Sequence, residues 1–219
     1  MKTVLLTAVG SASAHAAYAS LKAAGYRVVG CDIYPEAWNV NAGEMDAFDN
    51  VPPAADADAY ADALLTIARS RKADFILPLT DVEVDALCGR KRAFRAAGVT
   101  VCCPDEPVAD LCRDKLRMAR MLGAAGVCAV IPTYTAGSLP AKVAFPLLLK
   151  PLRGRSSEGK RIVAGREELR FALGQREDYI IQPFLEGDIY TAVPSPLTVR
   201  SRSRRVRVTA PPRASRAQS

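Results

Sequence analysis

Histidine is nearly missing from this chain: 219 residues contain one, His15. With one imidazole and six cysteines (Cys31, Cys88, Cys102, Cys103, Cys112, Cys128) among which no C-x-x-C pair occurs, a zinc site is excluded as the organising feature. The same irregular spacing speaks against a disulfide framework, so buried reduced thiols and a cytoplasmic setting are expected. No run approaches the ~20 apolar residues of a membrane span, so no membrane partner is expected. The fingerprint G-x-G-x-x-G is missing too. The turn after the first apolar run reads Gly10-Ser-Ala-Ser-Ala-His15, so Asp32, an acid suited to a ribose, has no dinucleotide loop beside it. Acids themselves run out after Asp188, while the last 28 residues hold seven arginines. The residues before Ala192 carry 23 basic and 23 acidic side chains, so the net charge of +7 belongs to the tail, and no specific nucleic-acid face is expected on the body.

What is present is an α/β pattern, 49% hydrophobic, with enough apolar material for a core. Residues 3–9 form a near-continuous apolar run closed by Gly10, a strand buried on both faces. Ala14 to Ala24 reads as a helix stopped by Gly25, and Tyr26 to Ile33 as a second strand, together one right-handed β-α-β crossover. The start also imitates a signal peptide, with Lys2, Val4-Leu5-Leu6 and Ala14-His15-Ala16. Its apolar core is short, however, and cleavage would remove the first strand. Asp58 to Arg71 is a helix with Ala61, Leu64, Ile67 and Ala68 inward. Phe75 to Leu79 is a strand that delivers Thr80, Asp81 and Glu83 at its carboxyl end, where open α/β sheets place ligand crevices. Asp81 as a helix cap and Glu83 as a first-turn charge is the bland alternative. With Val99 to Cys103 as a last strand, residues 1–104 read as a doubly wound parallel sheet.

Asp105-Glu106-Pro107 starts a helix running to Gly123 or Gly126, with Leu111, Lys115, Met118 and Leu122 on one face. A lysine within that stripe must snorkel or meet an anion. Beyond it, Phe145-Pro-Leu-Leu-Leu-Lys150-Pro151 is a strand followed by a small-residue loop from Gly154 to Gly159 and a second strand from Arg161. Such a loop, with cations beside it, offers several backbone N–H groups to a polyphosphate. Gly154 to Lys160 also fits the first seven positions of a P-loop, but Arg161 stands where a magnesium-binding hydroxyl belongs, and Arg161-Ile-Val is β-branched rather than helical. An ordinary hairpin turn with a solvated lysine is the third alternative. Arg166 to Gln175 is a helix, and Asp178 to Leu185 a strand interrupted by Gln182-Pro183, either a plain edge or a break whose backbone could pair with a base. From residue 192 the composition matches disorder.

In their order, P-L-T-D-V-E (78–83), R-D-K-L-R-M-A-R-M-L-G-A-A-G-V (113–127), I-P-T-Y (131–134), F-P-L-L-L-K-P (145–151), R-G-R-S-S-E-G-K (153–160) and I-I-Q-P-F-L-E-G-D-I-Y-T (180–191) resemble an ATP-grasp ligase of the carbamoyl-phosphate-synthase-like, carboxylate-amine ligase group. The resemblance implies a Rossmann-like domain over 1–104, part of an α+β ATP-grasp domain over 105–191 and a tail over 192–219. It implies that Lys115 and Lys150 flank the phosphates of ATP. Arg155, Ser156, Ser157 and Gly159 would belong to the loop that closes over them. Gln182, Pro183, Phe184 and Leu185 would be the hinge that reads adenine through its backbone, with Glu186 or Asp188 near the ribose. The family's substrates are a carboxylate and an amine or ammonia joined through an acyl phosphate, and its relatives can pair through the N-terminal domain. Magnesium is expected for the family, but the carboxylate and Asn ligands of the second ATP-grasp half have no counterpart here, so no metal ligand or catalytic residue is assigned. An arginine-, proline- and serine-rich ending in mid-motif is what a truncated or frameshifted product would carry, and no turnover is expected of it. A non-catalytic interaction module with a basic tail is the competing reading.

Overall fold

The computed structural model describes residues 1–126, 128–154, 157–187, 189–193 and 204–208. Five strands, β1 (Thr3–Leu6), β2 (Arg27–Asp32), β3 (Ala47–Asn50), β4 (Phe75–Leu77) and β5 (Thr100–Val101), form a parallel sheet in the order β3-β2-β1-β4-β5. Between them run α1 (Ala14–Ala23), α2 (Ala57–Arg71), α3 (Asp81–Leu87) and α4 (Lys91–Ala96). Every residue of β1 is buried, as the central strand of a sheet covered on both faces requires. It stops at Leu6 rather than continuing to residue 9, because Ala8 turns into a positive φ of 46°.

On α2 the expected stripe is in place: Ala61, Leu64, Ile67 and Ala68 are buried with Leu5, Val29, Ile76, Leu87 and Phe94 in one core. Asp56 Oδ1 accepts from Ala59 N at 3.1 Å and so caps the helix. Asp81 is not a cap. Thr80 occupies the N-cap position of α3 and Asp81 is the first residue of the helix. Glu83 is buried, and its Oε2 accepts from Leu79 N (3.1 Å) and Thr80 N (3.0 Å) while its Oε1 takes the Tyr60 hydroxyl at 2.7 Å. Burial, then the neighbouring Glu83 charge, push the Tyr60 phenol up, which keeps it a neutral donor. The cysteines are free, but of the six only Cys31 is buried; Cys102, Cys112 and Cys128 are exposed, so the expectation of buried thiols fails for most. Short helices leave them at turns and outer faces.

The second half opens with a break that the sequence pattern concealed. One helix was expected from 105 to the glycines; instead α5 (Glu106–Arg113) and α6 (Lys115–Ala125) are separated at Asp114, whose backbone is extended (φ −93°, ψ 98°). Asp114 Oδ1 accepts from Arg117 N at 2.8 Å, the capping bond that makes a second start preferable to a continuous helix. A three-stranded antiparallel sheet, β7-β6-β8, follows, built from β6 (Leu147–Pro151), β7 (Arg161–Val163) and β8 (Tyr179–Pro183), with α7 (Arg166–Gln175) on one face. Leu147, Leu149, Val163, Ile181, Leu169 and Ala172 make its core.

Two further strands, β9 (Ile189–Val193) and β10 (Arg204–Val208), pair antiparallel, so part of the stretch expected to lack structure carries a strand pair. Its register sets Val206 opposite Thr191 and Val208 opposite Ile189, a period-two placement of β-branched residues. Residues 194–203 and 209–219 lie outside the described residues. Among the described residues, no helix is long and apolar enough to cross a membrane.

The Tyr60–Glu83 bond carries a stability prediction. Tyr60→Phe leaves a buried carboxylate oxygen without its donor, and should lower unfolding stability in a urea titration by about 1–3 kcal/mol.

Candidate functional site

Lys115 and Lys150 meet at one cavity of about 260 Å³, together with Pro151, Gly154, Ser157, Glu158 and Lys160. Lys150 stands on β6, and Lys115 is the first residue of α6. The break at Asp114 places the Lys115 ammonium against the loop that follows β6. Its Nζ donates to the carbonyls of Pro151 (3.0 Å), Leu152 (3.3 Å) and Gly154 (3.1 Å), and its backbone N–H reaches Leu152 O at 3.3 Å. Carbonyl dipoles therefore hold this lysine against the loop. Desolvation, then the nearby Arg113 and Lys150 charges, lower the Lys115 pKa, and desolvation followed by Lys160 lowers that of Lys150.

The loop itself turns tightly. Ser157 has a φ of 61° and Gly159 one of 68°, and a Cβ on Gly159 would meet Pro151 Cγ at 3.0 Å, so glycine is required there. Arg155 and Ser156 were expected in this loop and lie outside the described residues. Lys160 and Tyr179 are the contributors that sequence reasoning passed over. Lys160 supplies a third ammonium, visible beforehand only as the end of a P-loop-like string, and Tyr179 donates its hydroxyl to Gly159 O at 2.8 Å. Arg161 begins a strand, which removes the P-loop reading.

A second, more apolar cleft of about 370 Å³ adjoins the first and shares Lys115 and Lys150 with it, with Met118, Leu122, Ile131, Ile180 and Gln182 among its walls. Gln182 stands next to last in β8, its Nε2 donating to Thr133 Oγ1 at 2.8 Å. Of the four expected hinge residues, Gln182 faces Leu148 across the ladder and Phe184 N donates to Pro146 O at 3.1 Å, so both are committed to β6. Pro183 has no N–H. The Pro183 carbonyl and the amide of Leu185, itself 64% exposed, fall outside that ladder. Asp188 lies outside the described residues.

A larger cavity, about 770 Å³, is elsewhere, at the carboxyl ends of β1, β2 and β4 where the strand order reverses, and Asp32, Tyr34, Tyr60, Thr80, Asp81 and Glu83 face it. Its acids are already engaged. Asp32 accepts from Gly10 N (2.8 Å) and Tyr34 N (3.0 Å), which leaves it tying β1 to β2 rather than awaiting a ribose, and Asp81 Oδ2 takes Arg113 Nη1 at 2.9 Å. The smaller cation-lined cavity has the chemistry of a ligand seat. Among the described residues no group of three or more His, Cys, Asp or Glu could hold a metal ion. The cavity beside the loop offers one carboxylate, Glu158, against three ammonium groups, so its described residues do not fit a magnesium ion.

Residues 4–102 match the family model described as PylC-like, N-terminal domain. No curated protein matches the chain by sequence. Among solved structures, it is similar to an L-amino acid ligase from Bacillus licheniformis (TM-score 0.63, 18% identity, 87% of this chain and 46% of that one). The biotin carboxylase domain of 2-oxoglutarate carboxylase from Hydrogenobacter thermophilus, solved with MgADP, ADP and bicarbonate, gives a TM-score of 0.65 at 22% identity over 84% and 44% of the two chains. Biotin carboxylase from Campylobacter jejuni, in its β-γ-ATP complex, gives 0.65 at 19% identity over 86% and 46%. The fold is that of the ATP-grasp ligases. This chain spans about half the length of these ATP-grasp structures.

The depressed lysines lining this cavity predict a pH effect. An anion arriving between them raises their pKa values toward or past the ordinary one, so binding takes up protons at alkaline pH and none where both lysines are charged already. Affinity for a polyphosphate should fall as pH rises through the depressed values. Calorimetry in buffers of different ionisation enthalpy checks this; proton release on binding at alkaline pH would contradict it.

Proposed function

We propose that this chain binds ATP and forms the nucleotide-binding part of an ATP-dependent ligase that joins a carboxylate to an amine or ammonia. The observation that carries the reading is the pair of adjoining cavities: an apolar cleft of base-like character opens beside a cation-lined seat, with Lys115 and Lys150 in the walls of both. A nucleotide has that same polarity, an apolar flat end and a polyanionic end. Lys150 and Lys160 would take the phosphates, Lys115 would add its field from behind the loop, and the carbonyl of Pro183 and amide of Leu185 would face the base. In the proposed reaction a carboxylate oxygen attacks the γ-phosphorus, ADP leaves, and the amine then displaces phosphate from the acyl phosphate; placed cations spread the developing charge. The 770 Å³ crevice is where we place the small carboxylate or amine, and a cytoplasmic setting goes with the reading. Similarity to an L-amino acid ligase and to a biotin carboxylase domain solved with MgADP and bicarbonate supports the reading.

Lys150→Ala removes one charge-assisted phosphate contact, worth about 1.5–3 kcal/mol, so ATP affinity should drop at least about tenfold. Equal ATP titrations for parent and variant would remove Lys150 from the site.

A further inference from the structure

Tyr179 is buried, at 4% exposure, among Leu147, Leu149 and Ile181 on the α7 side of the three-stranded sheet. Its ring stands against Arg176, with the guanidinium carbon 5.8 Å from the ring centre, and Arg176 is ion-paired to Asp178. The hydroxyl reaches past this packing to the loop after β6 and donates to Gly159 O at 2.8 Å. A buried phenol needs a partner, and this carbonyl is the one it has.

The bond has an electrostatic consequence for the loop. Near three ammonium groups, an unpaired carbonyl oxygen is drawn inward, where it would cover the cations and repel a phosphate. Lys115 already holds the carbonyls of Pro151, Leu152 and Gly154 at the front of the loop, and Tyr179 does the same for Gly159 at its rear. The two side chains, from different elements, thus engage the carbonyls of Gly154 and Gly159 at the two ends of the loop. Gly159 is the position where this matters most, since without a Cβ its peptide planes can reorient more freely than those of its neighbours.

We propose that Tyr179 is a positioning residue for the polyphosphate: its hydroxyl keeps the Gly159 carbonyl turned away from the seat formed by Lys150 and Lys160, and so sets affinity for the phosphate chain but not for the nucleoside. This rests on the reading that the loop seats the phosphates of ATP.

The test uses the full 219-residue chain and Tyr179→Phe, which keeps the ring and its stacking on Arg176 while deleting the hydroxyl. Binding of ATP and of adenosine is measured by calorimetry for both proteins, and amide exchange is followed across residues 154–160. The variant should bind ATP about five- to tenfold more weakly, the range of one neutral hydrogen bond, with adenosine affinity unchanged. Exchange should quicken at Gly159 and Lys160 while β6 and β8 keep their protection. Equal losses for ATP and adenosine would overturn the proposal, since they would mean a general loosening of the sheet. Unchanged ATP affinity would overturn it as well. If the parent binds adenosine and ATP equally, or binds neither, the phosphate-seat reading fails first and the role of Tyr179 falls with it.

Discussion

The ammonium of Lys115, set against three carbonyls of the segment after β6, is the contact on which the rest of the site depends. It explains why the helix must break at Asp114. A continuous helix from Glu106 would carry residue 115 in its interior, with its backbone N–H spent on residue 111 and its side chain along the shaft. Restarting at Lys115 frees that N–H for Leu152 O and aims the side chain at the loop. The arrangement has an electrostatic cost, since desolvation and then the nearby Arg113 and Lys150 charges lower the Lys115 pKa. Three charge-assisted bonds to carbonyls, each intrinsically stronger than a neutral one, offset that repulsion. The repulsion is then present in the free protein and relieved by any anion that enters.

Helix α5 does the other half of this work. On one side Arg113 bonds to Asp81 and Asp85 of α3 at 2.9 and 3.0 Å. On the other Asp110 pairs with Arg117 and with Arg153, the residue before the loop. One two-turn helix thus links a residue facing the large crevice to the base of the phosphate loop. These pairs are partly exposed and each contributes little, on the order of 0–1 kcal/mol. Their value is geometric, because α5 has few apolar anchors: of its residues only Ala109 is buried. High salt would therefore loosen the placement of the two sheets relative to each other before it affected either core.

Period and polarity made much of this legible in the sequence. The buried strands of the first sheet, the stripe of α2, Lys150 at the end of β6 and the strand beginning at Arg161 all follow from patterns that repeat over several residues. What stayed hidden rests on single side chains. Asp114 gives no sign of a break, being neither glycine nor proline, and it acts only because its carboxylate caps the next helix. The pairing of Tyr60 with Glu83 joins residues 23 apart through a core that no local window shows. Asp32 was correctly placed at a strand end, but two backbone amides consume it. Residues 182–185 read as a strand interrupted at Gln182-Pro183, whereas β8 runs to Pro183, and which of the four keep free backbone groups depends on a register that only pairing with β6 fixes. The strand pair at 204–208 was hidden for the opposite reason: arginine content outweighed a two-residue alternation of valine.

The two faces of the three-stranded sheet differ in a way that bears on the proposed site. Leu147, Leu149, Val163 and Ile181 point to α7 and are buried, while their neighbours Leu148, Lys150, Ile162 and Gln182 point to the other face. Period two would make that other face polar if it were simply solvated. It is not: Leu148 and Ile162 stand there with a lysine and an amide, and Ile162 is 51% exposed. Ile180 lies on the same face and lines the apolar cleft that the proposed function gives to the base, where burying a ring would recover about 25 cal/mol per Å² of apolar surface. The Gln182 amide fits the same picture. Thr133 Oγ1 donates to Ile131 O at 2.9 Å, so it must accept from Gln182 Nε2, which fixes the amide orientation and leaves the buried Oε1 without a donor. In the proposed function this face and the Gln182 Oε1 are where a ligand with an apolar ring and an N–H edge would be set.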